Sequence, residues 1–248
     1  MELTYRTATA GLRALFAALL MRITIVGEHH LPRSGAVVLA ANHIGYLDFA
    51  FVGLLGRRRR RFVRFLGKSD VFEGPVLGWL MRRMKHVPVD REAAAGALYE
   101  AEERLRGGEA VGVFAEGTIS RSFEVKPLAR GAAAMAQATG APLIPVVHFG
   151  GHRVLTVDGR RYLRFRTPVT IRVGPPVPTH GHPFEVTDRL REAMSAMLAE
   201  VLADYPLERG AWWVPAAHGG SAPAPEEAAR LDEEALARLR ERRAARRR

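Results

Sequence analysis

The sequence predicts an α/β fold: a single domain with a central, mostly parallel or mixed β-sheet flanked by helices, plus an N-terminal interfacial helix and a basic C-terminal tail. Apolar runs of strand length alternate with helical patterns from Ile23 to Ala203, the rhythm of strand-helix-strand units. Three of these runs break off on polar clusters, as buried strands do where they give way to loops. The chain has 248 residues, 48% of them hydrophobic, which suffices for one large core. The expected boundaries are 1–21 for the interfacial helix, 22–206 for the main domain and 207–248 for a linker and basic helical tail.

Residues from about Thr4 to Met21 read as a helix. Its apolar stretch, Ala14 to Met21 between Arg13 and Arg22, is far short of the roughly 20 residues that cross a bilayer and lacks a signal peptide's cleavage site. Two readings stay open: a helix on the membrane surface, or one packed on the protein's own core. Ile23–Val26 is a strand and Gly27 to Gly35 a loop. Val37–Ala41 is the next strand, ending on Asn42-His43, and Asp48 to Leu55 is a buried helix stopped by Gly56. Arg57 to Arg61 then runs into the strand Phe62–Leu66. Five arginines in such a connection read first as a solvated loop, second as a contact for anionic headgroups, and last as a nucleic-acid patch.

Gly67-Lys68-Ser69-Asp70 ends that strand, Pro75 to Met84 is a short apolar helix, and Lys85 to Arg91 alternates like a strand. Glu92–Arg106 is a helix stopped by Gly107-Gly108. Ala110–Phe114 repeats the pattern of Val37–Ala41. It leads into Ala115-Glu116-Gly117-Thr118-Ile119-Ser120-Arg121-Ser122, where glycine beside hydroxyl and basic side chains lets N–H groups and a cation converge on an oxyanion. Pro127–Thr139 is helical, and Leu143–Phe149 is a strand in which Pro145 demands a bulge or an edge. Arg161–Arg166 and Val169–Val173 are strands. Thr187-Asp188 caps a helix whose apolar positions Leu190, Met194, Met197, Leu198, Val201 and Leu202 keep the helical period. Beyond Pro206, Trp212-Trp213 either anchors a linker at a bilayer interface or fills a groove on the domain, and Glu226–Arg248 is a solvated helix with a basic end.

The absence of cysteine removes disulfides, thiolate metal sites and thiol nucleophiles from consideration. A formal net charge of +11 points to an anionic partner. His148 and His152 are spaced like helical metal ligands, but Gly150-Gly151 breaks a helix and no third ligand is evident, so no metal is expected.

The chemistry centres on Val37 to Phe51. Inside one regular helix, His43 and Asp48 would point about 140° apart. They meet if His43 lies in the loop and Asp48 in the first turn of the next helix, where unpaired N–H groups favour a carboxylate. Asp48 can then hold one imidazole nitrogen as a donor and leave the other to accept a proton. If the strands run parallel, three clusters emerge on one sheet edge: Asn42-His43 with Asp48, Lys68 with Asp70, and Glu116-Gly117-Thr118 with Arg121. That edge is where open α/β sheets bind ligands. The result is a histidine base beside a phosphate-sized basic pocket.

In this order the clusters resemble the motifs of the glycerolipid acyltransferases, the family of bacterial 1-acylglycerol-3-phosphate acyltransferase, over roughly residues 20 to 205. Asn42-His43 to Asp48 matches the family's NHxxxxD motif. Lys68 through Pro75 and Gly78 to Val89-Asp90-Arg91 resembles the second, Phe114 to Thr118 the third (usually FPEGTR), and Ile144-Pro145-Val146 the fourth. The sequence departs at Gly45, commonly Ser, at Ala115, commonly Pro, and at Ile119, which stands where the family has an arginine for substrate phosphate. Arg121 is the obvious substitute, with Lys68, Lys126 and Arg130 also near in motif order.

The resemblance implies transfer of a fatty acyl group from acyl-CoA or acyl carrier protein to the free hydroxyl of a lysophospholipid, foremost 1-acylglycerol-3-phosphate to give phosphatidic acid. It makes His43 the general base and Asp48 its catalytic partner, and it gives substrate binding to Asn42, Lys68, Arg91, Glu116, Gly117, Thr118 and Arg121. It implies no cofactor or metal, a peripheral place on the cytoplasmic face of an anionic membrane, and no nucleic-acid partner. The rivals are acylation of another lysolipid or phosphorylated glycolipid, and a basic nucleic-acid- or membrane-binding protein without catalysis.

Overall fold

Seven strands join in one sheet in the computed structural model, which describes residues 2–90, 94–161 and 165–246. They are β1 (Arg22–Val26), β2 (Val37–Ala41), β3 (Val63–Lys68), β4 (Val87–Val89), β5 (Ala110–Phe114), β6 (Leu143–Phe149) and β7 (Pro168–Val173). Their order is β1-β7-β6-β2-β5-β3-β4. From β6 to β4 every neighbouring pair is parallel, β6 meets β7 antiparallel, and β1 runs parallel to β7. The carboxyl ends of β6, β2, β5, β3 and β4 therefore share one edge, as the mixed-sheet expectation requires.

The helices are α1 (Glu2–Ala18), α2 (Asp48–Arg58), α3 (Ser69–Glu73), α4 (Leu77–Arg83), α5 (Ala94–Arg106), α6 (Gly131–Thr139), α7 (Pro183–Asp204) and α8 (Pro225–Arg246). Strand β2 is buried along its whole length because helices cover both faces. Val38 and Ala40 join the core formed with α5, α6 and α7, while Val37, Leu39 and Ala41 join the one beneath α1 and α2, following the two-residue period of a strand. Helix α1 packs on the domain: Tyr5 and Phe16 are buried, the Tyr5 hydroxyl donates to the Val63 carbonyl at 3.2 Å, and Phe16 stacks on Phe51 at 5.0 Å. The opposite side of this helix leaves Leu3 and Leu15 exposed.

Several local expectations are corrected. Helix α2 runs on to Arg58, so the arginine run begins inside it. Arg61 is buried and donates to the carbonyls of Pro32, Gly35 and Gly108. Arg64 is buried too, paired with Glu2 and Glu109. Arg61 and Arg64 thus tie loops together, while Arg58 and Arg60 stay exposed as a solvated stretch requires. Ser69 and Asp70 begin α3 rather than closing β3, and the short apolar helix narrows to α4.

Residues 127–130 are not helical: the Ala129 N–H donates to the Ala115 carbonyl at 2.7 Å, and α6 begins at Gly131. Helix α7 starts at Pro183, earlier than the Thr187-Asp188 cap. His182 accepts from the Phe184 N–H and Glu185 reaches back to the His182 N–H, with proline in the first turn, an N-terminal box closed by an unusual residue type. Pro145 lies in an interior strand, not on an edge strand. Its carbonyl accepts from Gly174, one residue past the end of β7, so its missing N–H falls where that ladder has already stopped. Of the strand expected over Arg161–Arg166, Tyr162 to Arg164 lie outside the described residues, and 165–166 form a turn.

Beyond α7, residues 207–222 fold back on the domain. Trp213 and Val214 are buried in the core on the α5–α7 side, the Trp213 carbonyl lies 2.8 Å from His152 Nε2, and Arg153 stacks over the Trp213 ring at 3.7 Å. Trp213 thus fills a groove. Among the described residues no helix is long and apolar enough to cross a membrane.

Candidate active site

The site begins where β2 runs out of apolar residues. Asn42 is buried, and its amide clamps strand β6: Nδ2 donates to the His148 carbonyl at 3.0 Å and Oδ1 accepts the His148 N–H at 2.9 Å. Next in the chain, His43 leaves the sheet and turns its ring onto Phe114 at the end of β5, stacked at 4.5 Å. Asp48 opens α2 and is fully buried. Its Oδ2 lies 2.8 Å from His43 Nδ1 and accepts the N–H groups of Ile44 at 2.7 Å and Gly45 at 2.8 Å. The five-residue spacing closes through a loop and a helix start, the geometry that brings the two side chains together.

A buried carboxylate needs compensation. Burial pushes the Asp48 carboxyl up, but the facing His148 imidazole, the His43 ring and the Gly45 N–H outweigh it and hold it below its ordinary value. His148 itself is buried, with Nε2 at 3.1 Å from the Asn42 carbonyl and 3.7 Å from Asp48. Burial lowers its pKa, against the opposing pull of Asp48 and of the Asn42 carbonyl. Facing a carboxylate, Nδ1 of His43 is the donor of this bond. The His43 side chain is 23% exposed, whereas that of Asp48 is closed to solvent.

The third motif wraps around the same loop. Glu116 is buried; its Oε1 accepts the His43 N–H at 3.0 Å and its Oε2 the Lys126 N–H at 3.4 Å. Burial pushes Glu116 up to about 8, against the pull of those N–H groups and of the Lys126 charge. The Ser120 N–H donates to the His43 carbonyl at 2.6 Å. Gly117 takes a left-handed φ of +71° to make the turn. Thr118 Oγ1 lies 2.5 Å from Lys126 Nζ. Ile119, in the position of the family's arginine, is buried.

The predicted residues therefore fall into separate groups. Asn42, His43, Asp48 and Glu116 share one hydrogen-bonded network. Thr118 and Arg121 meet Lys126 in an adjoining basic corner, where Arg121 pairs with Asp158 and with Asp232 of α8, and Lys126 Nζ lies 2.8 Å from Asp232. Lys68 ends β3 on the same sheet edge and pairs with Asp70 at 2.5 Å. Arg91 lies outside the described residues. Sequence reasoning missed His148 as the floor of the dyad and Asp158 and Asp232 as counterions. The signal for His148 was its place at the end of a strand parallel to β2; nothing local marks the aspartates. Among the described residues no three His, Asp or Glu side chains gather as metal ligands.

Gly45 also has a structural reason to lack a side chain. A Cβ there would lie 2.9 Å from the Leu155 carbonyl oxygen and 3.0 Å from His152 Cα, because residues 152–156 pack on the loop and Thr156 Oγ1 donates to the Ile44 carbonyl at 2.7 Å.

The site is a histidine held by a buried aspartate where the parallel strands of an α/β sheet end. The chain belongs to the acyltransferase family, whose model matches residues 22–148. It is 30% identical over 131 residues to the 1-acyl-sn-glycerol-3-phosphate acyltransferase of Bacillus subtilis (strain 168), covering 52% of this chain and 63% of that one. It is 31% identical over 135 residues to a chloroplastic 1-acyl-sn-glycerol-3-phosphate acyltransferase of Brassica napus, covering 53% of this chain and 38% of that one. In each case the match spans less than two thirds of the relative. The crystal structure of the 1-acyl-sn-glycerophosphate acyltransferase from Thermotoga maritima shares the fold, with a TM-score of 0.67 at 23% identity over 79% of this chain and 78% of that one.

Proposed function

We propose that this protein transfers a fatty acyl group from acyl-CoA or acyl carrier protein to the free hydroxyl of a lysophospholipid, foremost 1-acylglycerol-3-phosphate to give phosphatidic acid. The observation that carries the reading is the dyad: His43 Nδ1 on a buried Asp48 at 2.8 Å, in a chain of the acyltransferase family. The names of its relatives supply the acceptor.

In this reading Nε2 of His43 takes the hydroxyl proton as the oxygen attacks the thioester carbonyl, while Asp48 stabilises the imidazolium that forms. Collapse of the tetrahedral intermediate breaks the carbon–sulfur bond, and the departing thiolate takes the proton back from His43. No covalent acyl-enzyme is required. Arg121 and Lys126 receive the acceptor phosphate in place of the arginine that Ile119 replaces. The basic surface brings the protein to the cytoplasmic face of an anionic membrane as a peripheral enzyme.

A second reading, acylation of a different lysolipid or a phosphorylated glycolipid, is favoured by Ile119 and by the acidic partners already on Arg121. A panel of lysolipid acceptors with one acyl-CoA separates the two. His43→Ala is expected to lower turnover by about 10²- to 10⁴-fold, the share of a general base, with the circular dichroism spectrum unchanged. Full activity in that variant would overturn both readings.

A further inference from the structure

The basic corner beside the dyad is already occupied by an anion supplied by the chain itself. Asp232, from the third turn of α8, bridges Arg121 and Lys126, with Nζ of Lys126 at 2.8 Å. The Arg121 and Lys126 side chains are only 12% and 17% exposed beneath the helix. Glu116, Lys126, Ala228 and Asp232 line one cavity there, and Glu116 is the residue that grips the His43 N–H.

Helix α8 is lightly attached. Ala228 is its one fully buried side chain among the described residues, Leu231, Asp232, Glu234 and Ala235 are half-buried, and the rest of the described face is exposed. Its helical form is supported along its own surface, where Arg230 pairs with Glu227 and Glu234, and Arg238 with Glu234. The sequence is strongly charged here: residues 238–248 hold seven arginines and one glutamate. Such a cluster is drawn to anionic lipid headgroups.

We propose that Asp232 is an internal competitor for the acceptor's anionic headgroup, and that α8 leaves the corner when its arginine-rich end engages an anionic bilayer. The proposal rests on the reading above that Arg121 and Lys126 receive the acceptor phosphate. It makes Asp232 a residue that sets acceptor affinity, and it couples that affinity to the surface on which the acceptor resides. A carboxylate and a phosphate monoester bind the same fork of N–H donors, so the exchange leaves neither cation unpaired.

The test uses the 248-residue chain on vesicles of neutral phosphatidylcholine, with and without anionic phosphatidylglycerol. For the wild type the acceptor KM is expected to fall when anionic lipid is added. Asp232→Asn is expected to show a KM about threefold to tenfold lower on neutral vesicles, with little further fall on anionic ones and kcat nearly unchanged. An equal or higher KM in Asp232→Asn overturns the competition.

Release of the helix is read without activity. The chain has no cysteine, so Ala228→Cys gives a single buried thiol. Its reaction with maleimide is expected to quicken at least fivefold on anionic vesicles, with added inorganic phosphate, and in the Asp232→Asn background. An unchanged rate in all three overturns the release. If the thiol responds as expected but no acceptor is acylated, the latch stands and the acyltransferase reading falls.

Discussion

The end of β2 and the corner under α8 lie side by side, yet they hold their charges by opposite means. At the end of β2 the Asp48 carboxylate is fixed by two backbone N–H groups and one imidazole, in a position closed to solvent. Under α8 the guanidinium of Arg121 and the ammonium of Lys126 are held by side-chain carboxylates from distant parts of the chain. Backbone donors cannot leave without unfolding the loop, whereas side-chain counterions exchange for any anion of similar shape. The first arrangement suits a group that must keep one geometry through every turnover; the second suits a surface that must bind and release.

The sharpest way to break this contrast is Asp48→Ala. It strips His43 of its partner and frees the Ile44 and Gly45 N–H groups together. Turnover is expected to fall by about 10²- to 10⁴-fold, as for loss of the base itself. Chemical denaturation should also show a loss of about 3–5 kcal/mol, because the buried charge network is broken. Wild-type kinetics in this variant would show that the dyad does no chemistry.

The two regions also differ in how far the sequence reveals them. The dyad was legible because both partners lie within six residues of one strand-to-helix transition, where periodicity locates the break and spacing excludes a common helix face. The sheet was legible for a similar reason, since each strand ends on its own polar cluster. The corner was not. Arg121 meets Asp232 across 111 positions, and nothing in the composition of α8 marks Asp232 above its acidic neighbours. Trp213 was ambiguous for the same reason: its groove is made by His152 and Arg153, which lie about sixty positions earlier. Within the arginine run Arg61 was misread, because composition cannot show that carbonyls of two loops converge on it.

Buried neutral histidines extend the contrast to pH. Burial lowers His86 to about 4 and His152 to about 3, both from an ordinary 6.5, and the Phe65 N–H donates to His86 Nδ1 at 3.0 Å. A histidine whose folded pKa is depressed binds protons more readily when unfolded. Stability is therefore full above pH 6.5 and is lost as the pH falls toward 4. Each such ring costs about 1.4 kcal/mol per pH unit in that window. Urea denaturation of His86→Asn at pH 7 and pH 5 should show a pH slope smaller by one proton; an unchanged slope would mean that His86 is charged in the folded protein.

Gly45→Ser tests the rigidity of the dyad loop from another side, by installing the residue the family commonly carries. The added Cβ would crowd the Leu155 carbonyl and His152 Cα at 2.9 and 3.0 Å. We expect a loss of about 1–3 kcal/mol in denaturation, the usual cost of overpacking. No loss would show that the 152–156 segment yields, and that the loop is less constrained than its hydrogen bonds suggest.

The smallest effect is expected at Arg121. If Arg121 receives the acceptor phosphate as proposed, it must give up Asp158 and Asp232, so it adds less than a bare guanidinium would. Arg121→Ala should raise the acceptor KM by only about threefold to tenfold, at most about 1.4 kcal/mol. The informative quantity is the coupling. In the Asp232→Ala background Arg121 has one competitor fewer, so the same substitution should raise KM by a larger factor. Neighbouring charges that share a partner show this non-additivity in a double-mutant cycle. Equal factors in both backgrounds would mean that Asp232 and the acceptor do not contend for Arg121, and an unchanged KM in both would move the phosphate site away from this corner.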